Sequence, residues 1–247
     1  MKPWLRWLGL VVVATLALQG FFVARIAAMV VVNPESTAFE RSEAWRLANE
    51  KASFRWRQQW RAYSEISNHL KRAVIASEDD GFASHDGIDW TALEKAWKKN
   101  ARVEAQMNRK AATENNRGKP TTKSPKVVGG STITQQLAKN LFLSGERTLL
   151  RKGQEMVLTL TLEALLSKQR ILEIYLNSVE WGEGVFGAEA AAQHYFRKSA
   201  AALSPLEAAR LAAMLPRPKY FEKLPQSGYL SERAVTLVAR MPSAELP

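Results

Sequence analysis

The stretch from Gly129 to Asn140, GGSTITQQLAKN, predicts a helix that opens on polar residues. Thr132 fits the N-cap of a capping box, with Gln135 at the third helical position. The spacing of Thr132, Gln136 and Lys139 places the three side chains on one helical face. Free N–H groups at a helix start, with a lysine about two turns later, suit an anion. Taken alone, the stretch also fits an ordinary capped helix.

A second polar cluster follows at Arg151, Lys152 and Glu155. The next residues read MVLTLTLEALL, so we expect this helix to be largely buried, with core positions at Met156, Leu158, Leu160 and Leu162. Charges that open a buried helix usually line a cleft or pair with one another. A structural ion pair between Arg151 and Glu155, four residues apart, is the alternative interpretation.

A third cluster lies in ASEDDGFASHDG, residues 76–87, where an apolar helix ends. Glu78, Phe82 and His85 have helical spacing, although Gly81 can break the helix. Partial burial of the Glu78 carboxylate would raise its pKa, as a general base requires. His85 alone fits a structural hydrogen-bonding role. The three histidines lie at positions 69, 85 and 194, so a histidine metal site is not expected.

The composition narrows the classes of partner. The chain has 247 residues, of which 46% are hydrophobic, and a formal net charge of +11. This content suffices for one large or two small domains with a buried core. The positive charge favours nucleic acid, lipid headgroups or a phosphorylated substrate. Because the chain has no cysteine, disulfides and thiolate metal sites are excluded.

The N-terminal apolar run, residues 8–32, is long enough to cross a bilayer, at roughly 37 Å as a helix. Its charged residue, Arg25, lies near one end and can reach the headgroups. A cleaved signal peptide is the rival interpretation, but no clean cleavage site follows. Lys2 and Arg6 predict a cytoplasmic start, which places the rest of the chain outside the inner membrane and away from chromosomal DNA.

The rest of the chain has the pattern of a mainly α-helical domain. Residues 40–63 are rich in Trp and Arg and predict either a membrane-interface segment or a helix with its tryptophans in the core. Residues 101–128 are basic and lack apolar periodicity, so we expect a mobile loop. No run of strands is evident. The predicted helices cover 67–77, 91–100, 132–143, 149–167, 168–177, 188–196 and 205–215.

Five motifs of this chain resemble those of the peptidoglycan glycosyltransferase family. They are AVIASED..F..H.GID, GGSTITQQLAKNLFL, RK..E, ILEIYLN..EWG and GVFGAEAAAQHYF. The similarity runs from about Leu70 to Leu215. The chain lacks S-x-x-K and K-T-G, so it is similar to the monofunctional branch without a serine transpeptidase module. It departs from many relatives at Asp80, where they carry an arginine.

The resemblance implies an all-α, lysozyme-like glycosyltransferase domain behind a single N-terminal transmembrane helix. The implied reaction joins lipid II units into glycan strands, with inversion at the anomeric carbon and release of undecaprenyl pyrophosphate. The implied layout is a cytoplasmic start (1–7), an anchor (8–32), a membrane-proximal segment (33–66), the domain with its loop (67–220) and a tail (221–247).

The resemblance also assigns roles to the polar clusters. Glu78 would be the general base, and Glu155 would orient basic groups as a second catalytic residue. Lys139, Arg151 and Lys152 would stabilise the leaving phosphates. The remaining substrate contacts would come from Thr132, Gln136, Asp79, Phe82 and His85. Glu173, Tyr175 and Asn177 are expected to serve packing and hydrogen bonding.

The resemblance requires no cofactor, although a divalent cation, Mg²⁺ or Mn²⁺, could lie at Glu155. The expected partners are lipid II, the nascent strand, the inner membrane and proteins of cell-wall synthesis or division, but not nucleic acid. Two alternatives remain: a lytic, glycan-cleaving enzyme of lysozyme type, and a non-catalytic membrane-anchored scaffold. The lytic enzyme fits the basic cluster poorly, because polymeric glycan has no pyrophosphate.

Overall fold

A computed structural model describes residues 2–91, 93–95, 97–98, 101–103, 105–106, 130–143 and 148–247. Helices carry most of these residues. They are α1 Pro3–Ala28, α2 Ala38–Glu50, α3 Asn68–Glu78, α4 Ile133–Phe142, α5 Leu149–Leu165, α6 Lys168–Ser178, α7 Ala188–Phe196, α8 Pro205–Met214, α9 Pro218–Glu222 and α10 Gly228–Arg240. The prediction of a mainly helical domain is therefore confirmed.

Serine and threonine residues begin most of these helices, because their side chains accept a hydrogen bond from an otherwise unpaired N–H group. The capping box predicted at Thr132 is present: Oγ1 accepts from the Gln135 N–H, and Gln135 Oε1 accepts from the Thr132 N–H, each at 3.1 Å. The same reciprocal box starts α2 at Thr37 and α8 at Ser204. Local sequence therefore sets these boundaries.

The core forms where α3, α8 and α10 pack together and where α4 packs on α5 and α6. Tyr175 and Trp181 are among the largest fully buried side chains. Helix α10 was not predicted. Its buried residues Leu230, Ala234 and Leu237 belong to the same core, so residues 221–247, set apart as a tail, contribute to the packed domain.

A small sheet lies beside the helices in the order β1-β3-β2, where β1 is Arg57–Gln58, β2 is Glu180–Gly182 and β3 is Val185–Phe186. Strand β1 runs parallel to β3, and β2 is antiparallel to it. The sequence did not predict it, because strands of two or three residues show no alternation. Gly184 is required at the turn: its φ is +70°, and a Cβ would lie 2.3 Å from the Arg55 carbonyl oxygen.

Helix α1 is long and apolar enough to cross a membrane, by length and composition. Its C-terminal half packs on the domain. Gln19 and Gln154 of α5 exchange two amide hydrogen bonds, of 2.8 and 3.1 Å. Phe22 packs edge-on against Phe142, and the Arg25 guanidinium lies 5.2 Å from the centre of that ring. The helix is therefore docked on the domain.

Helix α5 is less buried than its apolar sequence predicted. Leu158 and Leu162 are in the core, but Met156 and Leu160 are exposed, as are Leu149 and Leu150 at its start. The prediction of four core positions is therefore wrong at two of them. Helix α5 packs on α4 and α1, and this leaves an apolar strip uncovered beside the membrane-length helix.

Neither of the two predicted alternatives, a membrane-interface segment or a helix with its tryptophans in the core, describes the whole of segment 40–63. Trp45 is 74% exposed on α2, whereas Trp56 stacks on Phe186 with ring centres 4.5 Å apart, and Trp60 packs on the core. The mobile loop predicted over 101–128 lies outside the described residues, apart from 101–103 and 105–106, which are helical. The described residues of the predicted helix at 91–100 are helical.

Candidate active site

A cavity of about 560 Å³ lies between the starts of α4 and α5, strand β2 and the turn between α8 and α9. Polar residues of α4 and α5 form one part of its wall, and mostly apolar residues form another. The lining residues are Phe39, Ser131, Gln135, Gln136, Lys139, Asn140, Leu143, Arg151, Lys152, Glu155, Val179, Glu180, Leu215, Pro216 and Pro218.

Helix α4 presents two of its three predicted site residues to this cavity. Gln136 and Lys139 line it, together with the neighbouring Gln135 and Asn140. Thr132 does not: it is buried, and its hydroxyl donates to the Gly87 carbonyl oxygen at 2.7 Å while it caps the helix. Thr132 therefore joins the start of α4 to the loop after α3.

Gln136 connects the cavity to Glu78. Its Nε2 donates to Glu78 Oε2 at 3.1 Å, and its Oε1 accepts from the Tyr175 hydroxyl at 2.9 Å. Buried Tyr175 thereby fixes the orientation of the amide, and the amide fixes the carboxylate. Glu78 is not among the described residues that line the cavity, but its carboxylate is hydrogen-bonded to one of them, Gln136.

Burial raises the pKa of the Glu78 carboxyl group above its ordinary value, because desolvation disfavours the charged form. Hydrogen bonds from Gln136 and from Ser77, the latter 3.1 Å from Oε1, act in the opposite direction, as does the charge of Arg233. A half-buried carboxylate with a raised pKa at the end of a helix has the properties of a general base.

Asp79, Phe82 and His85 are not among the described residues that line the cavity. Asp79 Oδ2 accepts from the Ile133 N–H at 2.9 Å, and Oδ1 lies 2.8 Å from His85 Nε2. His85 Nδ1 accepts from the Gly87 N–H, so Nε2 is the donor to Asp79. Phe82 is buried under the Lys168 ammonium. These residues fix the loop after α3 against the start of α4.

Arg151, Lys152 and Glu155 all line the cavity from the first turns of α5. Arg151 donates to Glu155 Oε2 at 3.0 Å, and Lys152 bonds the other oxygen. The predicted ion pair is therefore present, and it faces the cavity. Among the described residues nothing accepts a hydrogen bond from Arg151 Nε. This cluster, with Lys139, gives one wall a positive potential that suits phosphate oxygens.

Glu180 is a lining residue that the sequence analysis did not single out. It is 7% exposed, and the Lys219 ammonium lies 3.3 Å from its Oε1. Burial raises the pKa of its carboxyl group to about 7, with Glu43 adding repulsion and Lys219 opposing both effects. The sequence feature that could have identified it is a glutamate between the apolar residues Val179 and Trp181, in a segment that was expected to serve packing.

A divalent cation does not fit at Glu155. Both of its oxygens already bind cationic side chains, and Arg151 and Lys152 would repel a second positive charge. Within the described ranges no group of three His, Asp or Glu side chains is placed to hold a metal ion.

The chain is similar to known proteins over nearly its whole length. The family model described as Transglycosylase matches residues 46–242. A biosynthetic peptidoglycan transglycosylase of Burkholderia thailandensis is 51% identical, over 98% of this chain and 88% of the relative. Proteins with the same description from Herminiimonas arsenicoxydans and Paraburkholderia xenovorans are 49% and 48% identical, over 100% and 99% of this chain and 99% and 94% of the relatives.

Proposed function

The chain belongs to the transglycosylase family and is a peptidoglycan glycosyltransferase; from that premise we propose that it polymerises lipid II into glycan strands. In this reaction the disaccharide of one lipid II is joined to the growing strand, with inversion at the anomeric carbon, and undecaprenyl pyrophosphate leaves. One observation carries the proposal: Gln136 joins the Glu78 carboxylate to a cavity whose wall includes Lys139, Arg151 and Lys152.

Glu78 acts as the general base. Its carboxylate removes the proton from the 4-hydroxyl of the acceptor sugar as that oxygen attacks the anomeric carbon of the donor. The raised pKa makes the carboxylate a better proton acceptor than an exposed glutamate. Gln136 fixes the direction of the carboxylate, and Tyr175 fixes Gln136. A base held in this way loses little freedom at the transition state.

The basic wall stabilises the leaving group. Negative charge grows on the bridging phosphate oxygen as the bond to the sugar breaks, and fixed cations nearby lower the energy of that state. Arg151 offers a planar pair of donors, and Lys139 and Lys152 add point charges. Glu155 orients Arg151 and Lys152 through its two hydrogen bonds.

The site lies outside the cytoplasm, at the inner membrane. Helix α1 is the anchor, and Lys2 and Arg6 keep its start in the cytoplasm. The exposed apolar strip of α5 lies beside α1, so it can meet the bilayer that holds the undecaprenyl chain of the substrate. Proteins of cell-wall synthesis or division are the proposed protein partners.

The test is incubation of the purified full-length protein with labelled lipid II in detergent, with the products sized before and after muramidase digestion. We expect long products that muramidase cuts to disaccharide-peptides, and none from Glu78→Gln. Soluble fragments released from purified sacculi, without polymer from lipid II, would instead indicate the lytic enzyme. Wild-type polymer yield from Glu78→Gln would contradict the role of Glu78.

A further inference from the structure

The second carboxylate of the cavity, Glu180, has no role in the reaction proposed above. It lies on β2, and the cavity wall to which it contributes also includes the apolar residues Val179, Leu215, Pro216 and Pro218. A carboxylate in such surroundings is costly unless its oxygens are hydrogen-bonded. Its presence there therefore needs a physical reason.

The neighbours of Glu180 leave its hydrogen bonding incomplete. Lys219 of α9 lies 3.3 Å from Oε1, but it also binds Glu43 of α2, and within the described part of the chain Oε1 receives no directed hydrogen bond. Arg46 of α2 is the other nearby positive charge. The carboxyl group is more than nine-tenths buried. Oε1 itself has almost no accessible surface, so the oxygen open to a donor supplied by a ligand is Oε2, where the side chain meets the cavity.

The charge and shape of the wall restrict that donor. A phosphate is excluded, because it carries only acceptors and the same charge as an ionised Glu180. An uncharged N–H next to a methyl group fits better, since the N–H can bond the carboxylate while the methyl packs on the apolar residues. The 2-acetamido group of an N-acetylated sugar has this combination.

We infer that Glu180 positions the substrate by accepting a hydrogen bond from a 2-acetamido N–H, while Val179, Leu215, Pro216 and Pro218 receive the acetyl methyl group. The inference rests on the proposed polymerisation of lipid II. It gives the cavity two distinct walls: the cations of α4 and α5 bind the phosphates, and the β2 wall selects an N-acetylated sugar. Glu180 thus orients the sugar relative to its leaving group.

The test combines a protein change with a substrate change. Glu180→Leu removes the hydrogen-bond acceptor and replaces it with a side chain of similar volume. In the lipid II analogues, a 2-acetoxy group replaces the 2-acetamido group of one sugar at a time. This change removes the N–H donor but keeps the methyl group. For wild type, one analogue should raise KM about 10- to 100-fold, the usual effect of losing a bond to a charged group. Glu180→Leu should raise KM for natural lipid II similarly and show no further penalty with that analogue.

Equal penalties for the analogue in wild type and Glu180→Leu would overturn the inference. A wild-type KM of Glu180→Leu for natural lipid II would also overturn the inference. A wild-type protein that makes no polymer from lipid II would instead refute the proposed function, so the two failures are distinguishable. If Glu180→Leu does not fold, Glu180→Gln keeps the shape and a weaker acceptor, and the analogue penalty should shrink several-fold with it.

Two further readouts separate a substrate contact from a structural role. For wild type, the ratio of KM for the acetoxy analogue to KM for natural lipid II should rise between pH 6 and pH 8, because ionised Glu180 is the better acceptor. In Glu180→Gln this ratio should not change with pH. Thermal unfolding supplies the second readout. Glu180→Leu should keep or raise Tm, whereas Glu189→Leu, which removes a buried carboxylate with several hydrogen bonds, should lower it. A lower Tm and an unchanged KM for Glu180→Leu would indicate a structural residue.

Discussion

At the scale of single residues, the chemistry depends on how each carboxylate is held. Glu78 receives hydrogen bonds from Gln136 and Ser77, Glu155 is bound by two cations, and Glu180 has an incomplete set of partners. The three groups therefore differ in the contacts left for a ligand. Their sequence neighbours alone would not separate them.

Replacement of Glu78 tests the base directly. We expect Glu78→Gln to lower kcat by about 10²- to 10⁴-fold, the usual contribution of general-base catalysis, with Tm close to wild type. Because the base must be deprotonated, wild-type kcat/KM should rise with pH through the raised pKa of Glu78. Steady-state rates with lipid II across pH check both points. A kcat within a few-fold of wild type would reject this role.

Arg151 tests the stabilisation of the leaving group. Arg151→Ala should cost about 2–4 kcal/mol of transition-state stabilisation, measured as the loss in kcat/KM. Arg151→Lys should recover only part, because a lysine lacks the planar fork of donors. Arg210→Ala, which removes an arginine outside the cavity, is the control and should keep wild-type kcat/KM. Normal turnover by Arg151→Ala would contradict the assignment of the phosphates to this wall.

The stability of the fold should depend on pH through Glu180. Its pKa is about 7 in the folded protein and 4.5 as an ordinary value. As pH rises from about 4.5 to about 7, the unfolded state loses this proton first, so stability falls across that window. The total loss is on the order of 3 kcal/mol. The difference in unfolding free energy between wild type and Glu180→Gln, measured at pH 5 and pH 8, should change by this amount, and a constant difference would contradict it.

At the scale of elements, the site depends on the start of α4. Two side chains hold that start: Thr132 caps it and bonds Gly87, and Asp79 binds the first helical N–H group and His85. Gln136 and Lys139 reach the cavity because this helix end is fixed on the loop after α3. The motif around Glu78 and the motif around Thr132 are thus one structural unit.

Asp79 tests this unit. Asp79→Asn replaces a charged acceptor by an amide, so we expect a loss of about 1–3 kcal/mol in unfolding free energy, measured by chemical denaturation. The neighbouring Asp80→Asn is the matched control. Asp80 is exposed and lies 3.4 Å from Arg240, so its loss should cost less than about 1 kcal/mol. A large rise in KM for Asp79→Asn without loss of stability would show instead that Asp79 contacts substrate.

At the scale of the whole molecule, helices α1 and α5 pack together, and both carry exposed apolar residues. Helix α1 packs on α5 through the Gln19–Gln154 amide pair, and Arg170 donates to carbonyl oxygens of Met29 and Val32 just after α1. These contacts fix the direction in which the chain leaves α1. If α1 is the anchor, as proposed above, the same contacts would hold the cavity at a set distance from the bilayer.

The orientation of the chain can be tested because it contains no cysteine. A single Lys2→Cys or Glu245→Cys exchange places one thiol at either end, and both positions are exposed. In intact spheroplasts a membrane-impermeant maleimide should label Glu245→Cys, while Lys2→Cys should react only after lysis. The excess of positive charge before α1 is the physical reason. Labelling of Lys2→Cys in intact spheroplasts would reverse the proposed topology.

The sequence by itself determined the helical class, the membrane-length helix and the capping box at Thr132. These features depend on local spacing: apolar residues at helical intervals, a long uncharged run, and a side chain that caps its own helix. It also identified Gln136, Lys139, Arg151, Lys152 and Glu155, which all line one cavity. Spacing alone could identify these residues because Gln136 and Lys139 lie within α4, and Arg151, Lys152 and Glu155 lie within α5.

Only the tertiary structure decided which polar residues face the cavity. Thr132, Asp79 and Phe82 bind partners from distant parts of the chain, which no local pattern reveals, and His85 in turn bonds Asp79. The sequence analysis also did not predict the small sheet, helix α10 and the exposed strip of α5. The burial of an element depends on what packs against it, and local sequence does not show this. Glu180 is the clearest case: it becomes a cavity residue only because folding brings β2 beside α4, α5 and the α8–α9 turn.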